Sequence, residues 1–140
     1  MLKTINNGKM PTKGSKYSVC VDLYANESIV IGAGETAIIP LGVCLDYDKF
    51  PISVQNNMKN FYLQLEPRSS MRAKGLIGGT GIIDIDYEDE IKIILHNLGT
   101  NFTVSKGDRI AQIMLCEHSS WRLGIETDDK RVGGIGSTGK

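Results

Sequence analysis

The chain has 140 residues, of which 41% are hydrophobic, and 16 Lys and Arg residues balance 16 Asp and Glu residues. This length and apolar content fit one domain with a core of its own and exclude a wholly disordered chain. A formal net charge of zero argues against a general nucleic-acid binder, so we expect no nucleic-acid partner.

Short runs of β-forming residues, separated by turn residues, dominate the chain. Ile91, Ile93 and Leu95 alternate with Lys92 and His96, which is the period of a half-buried strand. Strands are predicted, in chain order, at 18–24, 28–31, 36–46, 61–66, 81–84, 90–97, 102–104 and 109–118, with one short helix at 69–74. The pattern predicts an all-β subunit, a jelly-roll-like barrel or sandwich with at most one short helix.

Two stretches fall outside this strand pattern. The polar, Asn-rich residues 46–60 predict an exposed loop. From residue 126 onward the chain has little apolar content and ends in a glycine-rich run. We therefore predict a β domain over residues 1–125 and a flexible, glycine-rich C-terminal arm over 126–140, which is either disordered or ordered by something it binds.

Targeting and membrane signals are not evident in the sequence. The first 15 residues are polar and predict no signal peptide, and Glu35, Pro40 and three glycines interrupt the longest apolar region, 29–45. We expect no membrane partner. The sequence has three cysteines, spaced without a metal-binding pattern, which predicts buried thiols in a reducing cytoplasm.

The first segment with chemical potential is Glu66-Pro-Arg-Ser-Ser-Met-Arg72. Arg68 offers a planar fork of donors that fits phosphate oxygens, and the hydroxyls of Ser69 and Ser70 add further donors. This combination predicts an anion site. The alternative is that a serine simply caps the short helix.

The second segment runs from Gly78 to Glu90 and combines glycines with alternating carboxylates. Glycines allow the backbone to approach a ligand closely, and Asp84 is placed to act as a general base. The carboxylates from Asp84 to Glu90 could instead hold a hard cation. A third interpretation is a polar hairpin whose acidic residues are only solvated.

Two further segments complete the set. Lys106-Gly-Asp-Arg-Ile-Ala-Gln112 is a turn leading into a strand, with Gln112 as a candidate ligand-binding amide, or an ordinary turn with a structural Arg109–Asp pair. The glycine-rich tail that follows Arg131 could wrap phosphates through backbone N–H groups, or it could be a disordered end.

In this order, the segments VDLYA, EPRSSM, GIIDIDY, KGDRIAQ and GGIGSTG resemble the five motifs of the trimeric dUTPase family. The resemblance covers nearly the whole chain. It implies a jelly-roll subunit, a homotrimer with sites at subunit boundaries, and hydrolysis of dUTP to dUMP and pyrophosphate with Mg²⁺.

The resemblance also implies roles for individual residues. Asp22 corresponds to the acidic residue that orders the waters around magnesium, and Asp84 to the aspartate that activates the attacking water. Tyr87 corresponds to the tyrosine that lies against the deoxyribose, and the hairpin with Gly81 and Ile83 to the segment that recognises uracil. The remaining substrate-binding positions, which contact or close over the phosphates and the base, are Arg68, Ser69, Ser70, Gln112, Arg131, Ile135, Gly136, Ser137 and Thr138.

Two other functions remain open from the sequence. A dCTP deaminase would share the fold, but that family has a glutamate in the strand after the third motif, where this chain has Ile91-Lys-Ile-Ile-Leu-His-Asn97. A non-catalytic nucleotide-binding relative is favoured by departures from the family pattern. Those departures are Val19-Cys-Val21 before Asp22, Glu88-Asp89 in place of Arg-Gly, and Ile135 in place of an aromatic residue.

Overall fold

The computed structural model describes residues 1–78 and 81–133. These residues form short antiparallel strands and two short α-helices. The strands are β1 Leu2–Thr4, β2 Thr12–Lys13, β3 Val21–Tyr24, β4 Ile29–Ile31, β5 Thr36–Pro40, β6 Val43–Leu45, β7 Phe61–Pro67, β8 Leu76–Ile77, β9 Gly81–Asp84, β10 Lys92–Asn97, β11 Phe102–Val104 and β12 Arg109–Glu117, and the helices are α1 Ile52–Gln55 and α2 Ser69–Ala73.

A five-stranded sheet with the order β2-β3-β12-β7-β9 is the largest unit of the fold. Its long strands alternate between a buried and a half-buried or exposed face, as β7 does from Leu63 to Pro67. The inner face contributes Leu23, Leu65 and Ile113 to the core, each no more than 5% exposed. The outer face carries polar side chains, which is the alternation expected of an antiparallel sheet with one buried face.

The sheet β5-β10-β8 supplies the opposing layer of the core. Along β10 the residues alternate strictly, so Ile93 and Leu95 are buried while Lys92, Ile94 and His96 are exposed. Two-stranded sheets, β1-β6 and β11-β4, close the sides. The prediction of an all-β, jelly-roll-like subunit is confirmed.

The predicted strand 36–46 is divided into β5 and β6. Gly42 lies between them with a φ of 65°, a left-handed conformation that glycine adopts without steric cost. The chain turns there, so β5 pairs with β10 while β6 pairs with β1. The apolar run itself gives no sign of this turn, because buried residues continue on both sides of it.

The stretch 46–60 differs from the predicted exposed loop. It contains α1, a second helix that the sequence did not predict, and Phe50 and Val54 are only 4% and 3% exposed. Phe50 lies in the extended segment directly before α1, and Val54 lies within α1, so both elements contribute a side chain to the core. Among the cysteines, Cys44 is buried as expected, whereas Cys20 and Cys116 are half-buried.

No helix in the described ranges is long and apolar enough to cross a membrane.

Candidate active site

Three polar residues lie side by side across the centre of the five-stranded sheet. Asp22 of β3 pairs with Gln112 of β12, which in turn pairs with Glu66 of β7. Directly paired residues on one face have side chains about 5 Å apart. The sheet register therefore brings together residues of the first, second and fourth segments, which are far apart in the sequence.

Two arginines flank Asp22. Arg68 Nε lies 3.5 Å from Asp22 Oδ1, and Arg109 Nη1 lies 3.3 Å from Asp22 Oδ2. Arg68 also donates from Nη1 to the carbonyl of Arg109 at 3.3 Å. The Asp22 side chain is 14% exposed, while the two arginines are 27% and 45% exposed. We name Asp22, Arg68, Arg109 and Gln112 the sheet cluster. It contains one carboxylate and two guanidinium groups that face solvent.

Helix α2 begins directly after this cluster. Its N-cap residue is Arg68, with no side-chain capping hydrogen bond, and Ser69 and Ser70 lie exposed in the first turn. The alternative interpretation of a serine N-cap is therefore wrong. Gln112 Nε2 donates to the carbonyl of Pro67 at 3.2 Å, which holds the start of this turn against β12.

A second group of functional side chains lies on and after the edge strand β9. Among the described residues β9 pairs only with β7, and it ends in a turn in which the Tyr87 N–H donates to the Asp84 carbonyl at 3.0 Å. The Asp84 side chain is 63% exposed, whereas Tyr87 is buried, with its hydroxyl donating to the carbonyl of Glu90 at 3.2 Å.

Arg131, from the C-terminal segment, lies against this turn. Its Nη1 is 2.7 Å from Asp84 Oδ2 and 3.5 Å from Asp86 Oδ1, and its guanidinium carbon is 5.1 Å from the centre of the Tyr87 ring. The hydrogen bond to Asp84 raises the pKa of Arg131 above its usual value. We name Asp84, Tyr87 and Arg131 the hairpin cluster.

A cavity of about 230 Å³ opens beside the hairpin cluster. Its lining is largely apolar, and β9, β10 and the hairpin cluster contribute most of it. Gly81 and Ile83 line it from β9, where a Cβ at Gly81 would lie 2.9 Å from the carbonyl oxygen of Leu65. An apolar cavity with a few polar groups beside an edge strand is the usual form of a small-molecule site.

The two clusters do not meet within one chain. Asp84 pairs with Tyr62 of β7, whereas Asp22 lies in the row of Glu66, four residues further along β7 and three strands away from β9. With about 3.4 Å per residue and about 4.8 Å per strand, the two carboxylates are roughly 20 Å apart. The predicted site residues of one described chain thus lie in two separate groups, which we call the two half-sites of the prediction.

The predicted site residues divide between these half-sites. Arg109 was not among the predicted site residues, because its segment also fits an ordinary turn with a structural arginine. The contact of Arg109 with Asp22 supports the interpretation as a structural arginine. The same contact adds a positive charge to the sheet cluster. The available signal was its positive charge within the fourth segment, three residues before Gln112. The predicted residues outside the described ranges are Ile135, Gly136, Ser137 and Thr138.

The comparisons with known proteins agree on one family. The family model described as dUTPase matches residues 6–139. The deoxyuridine 5'-triphosphate nucleotidohydrolase of Rickettsia bellii (strain OSU 85-389) is 36% identical over 150 residues, covering 99% of this chain and 93% of the relative. The protein of that name from Variola virus is 34% identical over 143 residues, covering 99% of this chain and 90% of the relative.

Solved structures with the same fold are dUTPases as well. A variant of the Staphylococcus bacteriophage 80alpha dUTPase with dUpNHpp has a TM-score of 0.72 at 20% identity, covering 98% of this chain and 97% of that one. A variant of the dUTPase from phage phi11 of S. aureus, described with a structural Mg(II) ion, has a TM-score of 0.72 at 19% identity and covers 98% of each chain. On the family match and the curated relatives together, this chain belongs to the dUTPase family.

Proposed function

We propose that this protein hydrolyses dUTP to dUMP and pyrophosphate. The observation that carries the proposal is the match of the dUTPase family over residues 6–139, which includes both clusters described above. Membership of an enzyme family supports the reaction class, and the two clusters support the division of labour among the residues.

In the proposed reaction Asp84 is the general base. Its carboxylate takes a proton from a water molecule, the water oxygen attacks the α phosphorus, and the bond from that phosphorus to the bridging oxygen breaks. Pyrophosphate leaves with the electron pair of that bond. The 63% exposure of the Asp84 side chain supports this role, because a general base must reach a water molecule next to the substrate.

The sheet cluster is the proposed triphosphate site. Arg68 and Arg109 lie 3.5 and 3.3 Å from Asp22, so a single carboxylate leaves positive charge for phosphate oxygens. The amide of Gln112 and the exposed hydroxyls of Ser69 and Ser70, which follow Arg68 directly, add donors. Positive charge and fixed donors stabilise the charge that moves onto the leaving pyrophosphate.

Asp22 could hold magnesium only together with waters and the phosphates of the substrate. No group of three or more His, Cys, Asp or Glu side chains in ranges 1–78 and 81–133 could hold a metal ion. Mg²⁺, however, commonly keeps several waters and binds one or two carboxylates plus the phosphates of its substrate. We propose that Asp22 orders such waters; when bound, the ion would neutralise charge on the triphosphate.

The cavity beside β9 is the proposed nucleoside site. The outer edge of β9 offers backbone donors and acceptors that could pair with uracil, and Gly81 and Ile83 line the cavity. The Tyr87 ring also lines it and would exclude a ribose by shape, since a 2'-hydroxyl would find neither space nor a partner there.

A homotrimer would complete the site. Asp84 and the sheet cluster must both lie near the α phosphate, yet within one chain they are roughly 20 Å apart by strand geometry. A neighbouring copy that presents its hairpin cluster to this sheet cluster removes the conflict, and such a head-to-tail contact closes into a ring. The resemblance to the trimeric family makes the ring one of three copies.

The C-terminal arm is proposed to close over the bound triphosphate. Arg131 Nε has no hydrogen-bond partner among the described residues, so it has a donor available for a phosphate oxygen. Ser137 and Thr138 with the backbone of Gly136 would add donors, and Ile135 would cover the base. In this proposal the phosphates compete with Asp84 for the Arg131 guanidinium.

The experiment that tests the function is a nucleotide screen for pyrophosphate release, with magnesium present and absent. We expect release from dUTP, a strong dependence on magnesium, and little release from dCTP or dTTP. Ammonia release from dCTP would identify a deaminase instead. Tight dUTP binding without pyrophosphate release would identify a non-catalytic binding protein.

A further inference from the structure

Tyr47 connects the stretch 46–60 to the hairpin cluster. It lies two residues after the end of β6 and begins a short 3₁₀ turn, Tyr47–Lys49. Its hydroxyl donates to the backbone carbonyl of Tyr87 at 3.0 Å. This is a contact between the hairpin and a segment that was predicted from sequence to be an exposed loop.

The Tyr47 ring is itself held in place by the core. It packs on Phe50, with ring centres 5.0 Å apart and a tilt of 44°, and Phe50 is 4% exposed. Burial, with the charges of Glu88 and Asp86, raises the pKa of Tyr47 to about 12, although Arg131 opposes the shift. The hydroxyl therefore stays protonated near neutral pH and remains a hydrogen-bond donor.

Three hydrogen bonds fix the position of Tyr87. Its N–H donates to the Asp84 carbonyl at 3.0 Å, its ring hydroxyl donates to the Glu90 carbonyl at 3.2 Å, and its own carbonyl accepts from Tyr47. The first two bonds stay within the hairpin. Among those three, only the bond from Tyr47 ties the residue to another part of the molecule.

Tyr47 is not among the residues that line the cavity, whereas Tyr87 is. The hydrogen bond that joins Tyr47 to the cavity lining therefore runs through Tyr87. A ring that excludes a 2'-hydroxyl by shape does so only when its position is fixed, since a small displacement would make room for the extra oxygen.

We propose that Tyr47 is a positioning residue that holds the Tyr87 ring and thereby sets the preference for deoxyribose over ribose. The inference rests on the proposed function, because it assigns the cavity to the nucleoside. It gives the stretch 46–60 a role in specificity.

The test compares Tyr47→Phe with the parent protein, using the dissociation constants of dUMP and UMP and the kcat and KM values for dUTP and UTP. Phe keeps the ring and its packing but removes the donor. We expect the preference for the deoxy form to fall by about twofold to tenfold, the range of one net hydrogen bond, with the change in KM and little change in kcat.

Tyr24→Phe is the matched control, because Tyr24 is buried, whereas Tyr47 is half-buried, and the Tyr24 hydroxyl bonds to Thr12 rather than to the hairpin. It should keep the parent's preference even if the protein loses stability. A Tyr47→Phe protein with the parent's dUMP-to-UMP ratio would overturn the inference.

A double-variant cycle tests the route. In a Tyr87→Ala background, Tyr47→Phe should leave the dUMP-to-UMP ratio unchanged, because the ring that it positions is absent. An equal effect of Tyr47→Phe with and without the Tyr87 ring would overturn the inference. The dissociation constants of dUMP and UMP can be measured without turnover. A parent protein that releases no pyrophosphate would therefore contradict the proposed function, while the test of Tyr47 could still be carried out.

Discussion

The sheet cluster and the hairpin cluster are built in different ways. In the sheet cluster, Asp22 and Gln112 are paired across hydrogen-bonded strands, and Asp22 is 14% exposed with two arginine partners. In the hairpin cluster, Asp84 ends an edge strand, is 63% exposed, and has its ion-pair partner, Arg131, in the C-terminal segment. In the proposed reaction, the sheet holds the charges that bind phosphate, whereas Asp84 lies exposed at a sheet edge, where a neighbouring chain or a substrate can reach it.

Among the substitutions that distinguish the two clusters, Asp84→Asn is expected to have the largest effect on turnover. The amide is nearly isosteric but cannot take the proton, so turnover should fall by about 100-fold to 10,000-fold while nucleotide binding remains. Asp86→Asn is the matched control, because Asp86 is also exposed and also faces Arg131. Steady-state pyrophosphate release, with dUTP affinity measured in parallel, checks this. Parental turnover in Asp84→Asn would exclude Asp84 as the base.

Removing the chain after Arg131 should have the next largest effect. The fold and the trimer should remain, because the core residues precede this point, while turnover should fall by up to about 100-fold as the triphosphate loses its alignment. Kinetics combined with light scattering measures both properties. Full activity in the shortened protein would contradict the arm model. Equal protection of the tail from proteolysis with and without nucleotide would point instead to a permanently docked segment.

Substitutions in the sheet cluster should weaken the binding of nucleoside triphosphates more than the binding of monophosphates. Arg68→Ala should weaken binding of a non-hydrolysable dUTP analogue by about tenfold or more, as expected for a lost charge-assisted hydrogen bond, and Ser69→Ala by less. Binding of dUMP should change little in both. Arg72→Ala, in helix α2, is the control, because Arg72 forms its ion pair with Glu66 and not with Asp22. Equal losses for dUMP and the analogue would make the segment structural.

The smallest effect is expected from Ile135→Phe. An aromatic ring can stack on uracil where isoleucine only covers it, which is worth at most about 1.5 kcal/mol. Activity should therefore stay the same or rise. A large loss in kcat/KM would show that residue 135 does not lie over the base.

The sequence predicted the all-β fold because strand alternation and turn residues are local signals, and α2 because its residues have no competing β pattern. It could not predict the break at Gly42 or the burial of Phe50 and Val54, since both depend on how distant segments pack. For the site, the candidate residues were predicted from residue type, spacing and the family resemblance. Their separation into two half-sites follows from strand register, which sequence alone does not fix.

The contact from Tyr47 to the Tyr87 carbonyl was beyond prediction for a related reason. Its partner is a backbone atom, and backbone acceptors leave no trace in residue type. Arg109 is an intermediate case, because its charge was visible but its pairing with Asp22 depends on the register of β3 and β12.

The central claim is that each active site combines the sheet cluster of one chain with the hairpin cluster of another. Mixed assemblies of Asp84→Asn and Arg68→Ala chains test it most directly, at a dUTP concentration far enough below the KM of the Arg68→Ala protein that each chain alone turns over little. Random mixing of equal amounts in a cyclic trimer should restore about one quarter of the sites, measured as dUTP turnover. No recovery in assemblies shown by mass to contain both chains would contradict the account, because it would mean that both clusters act within one chain.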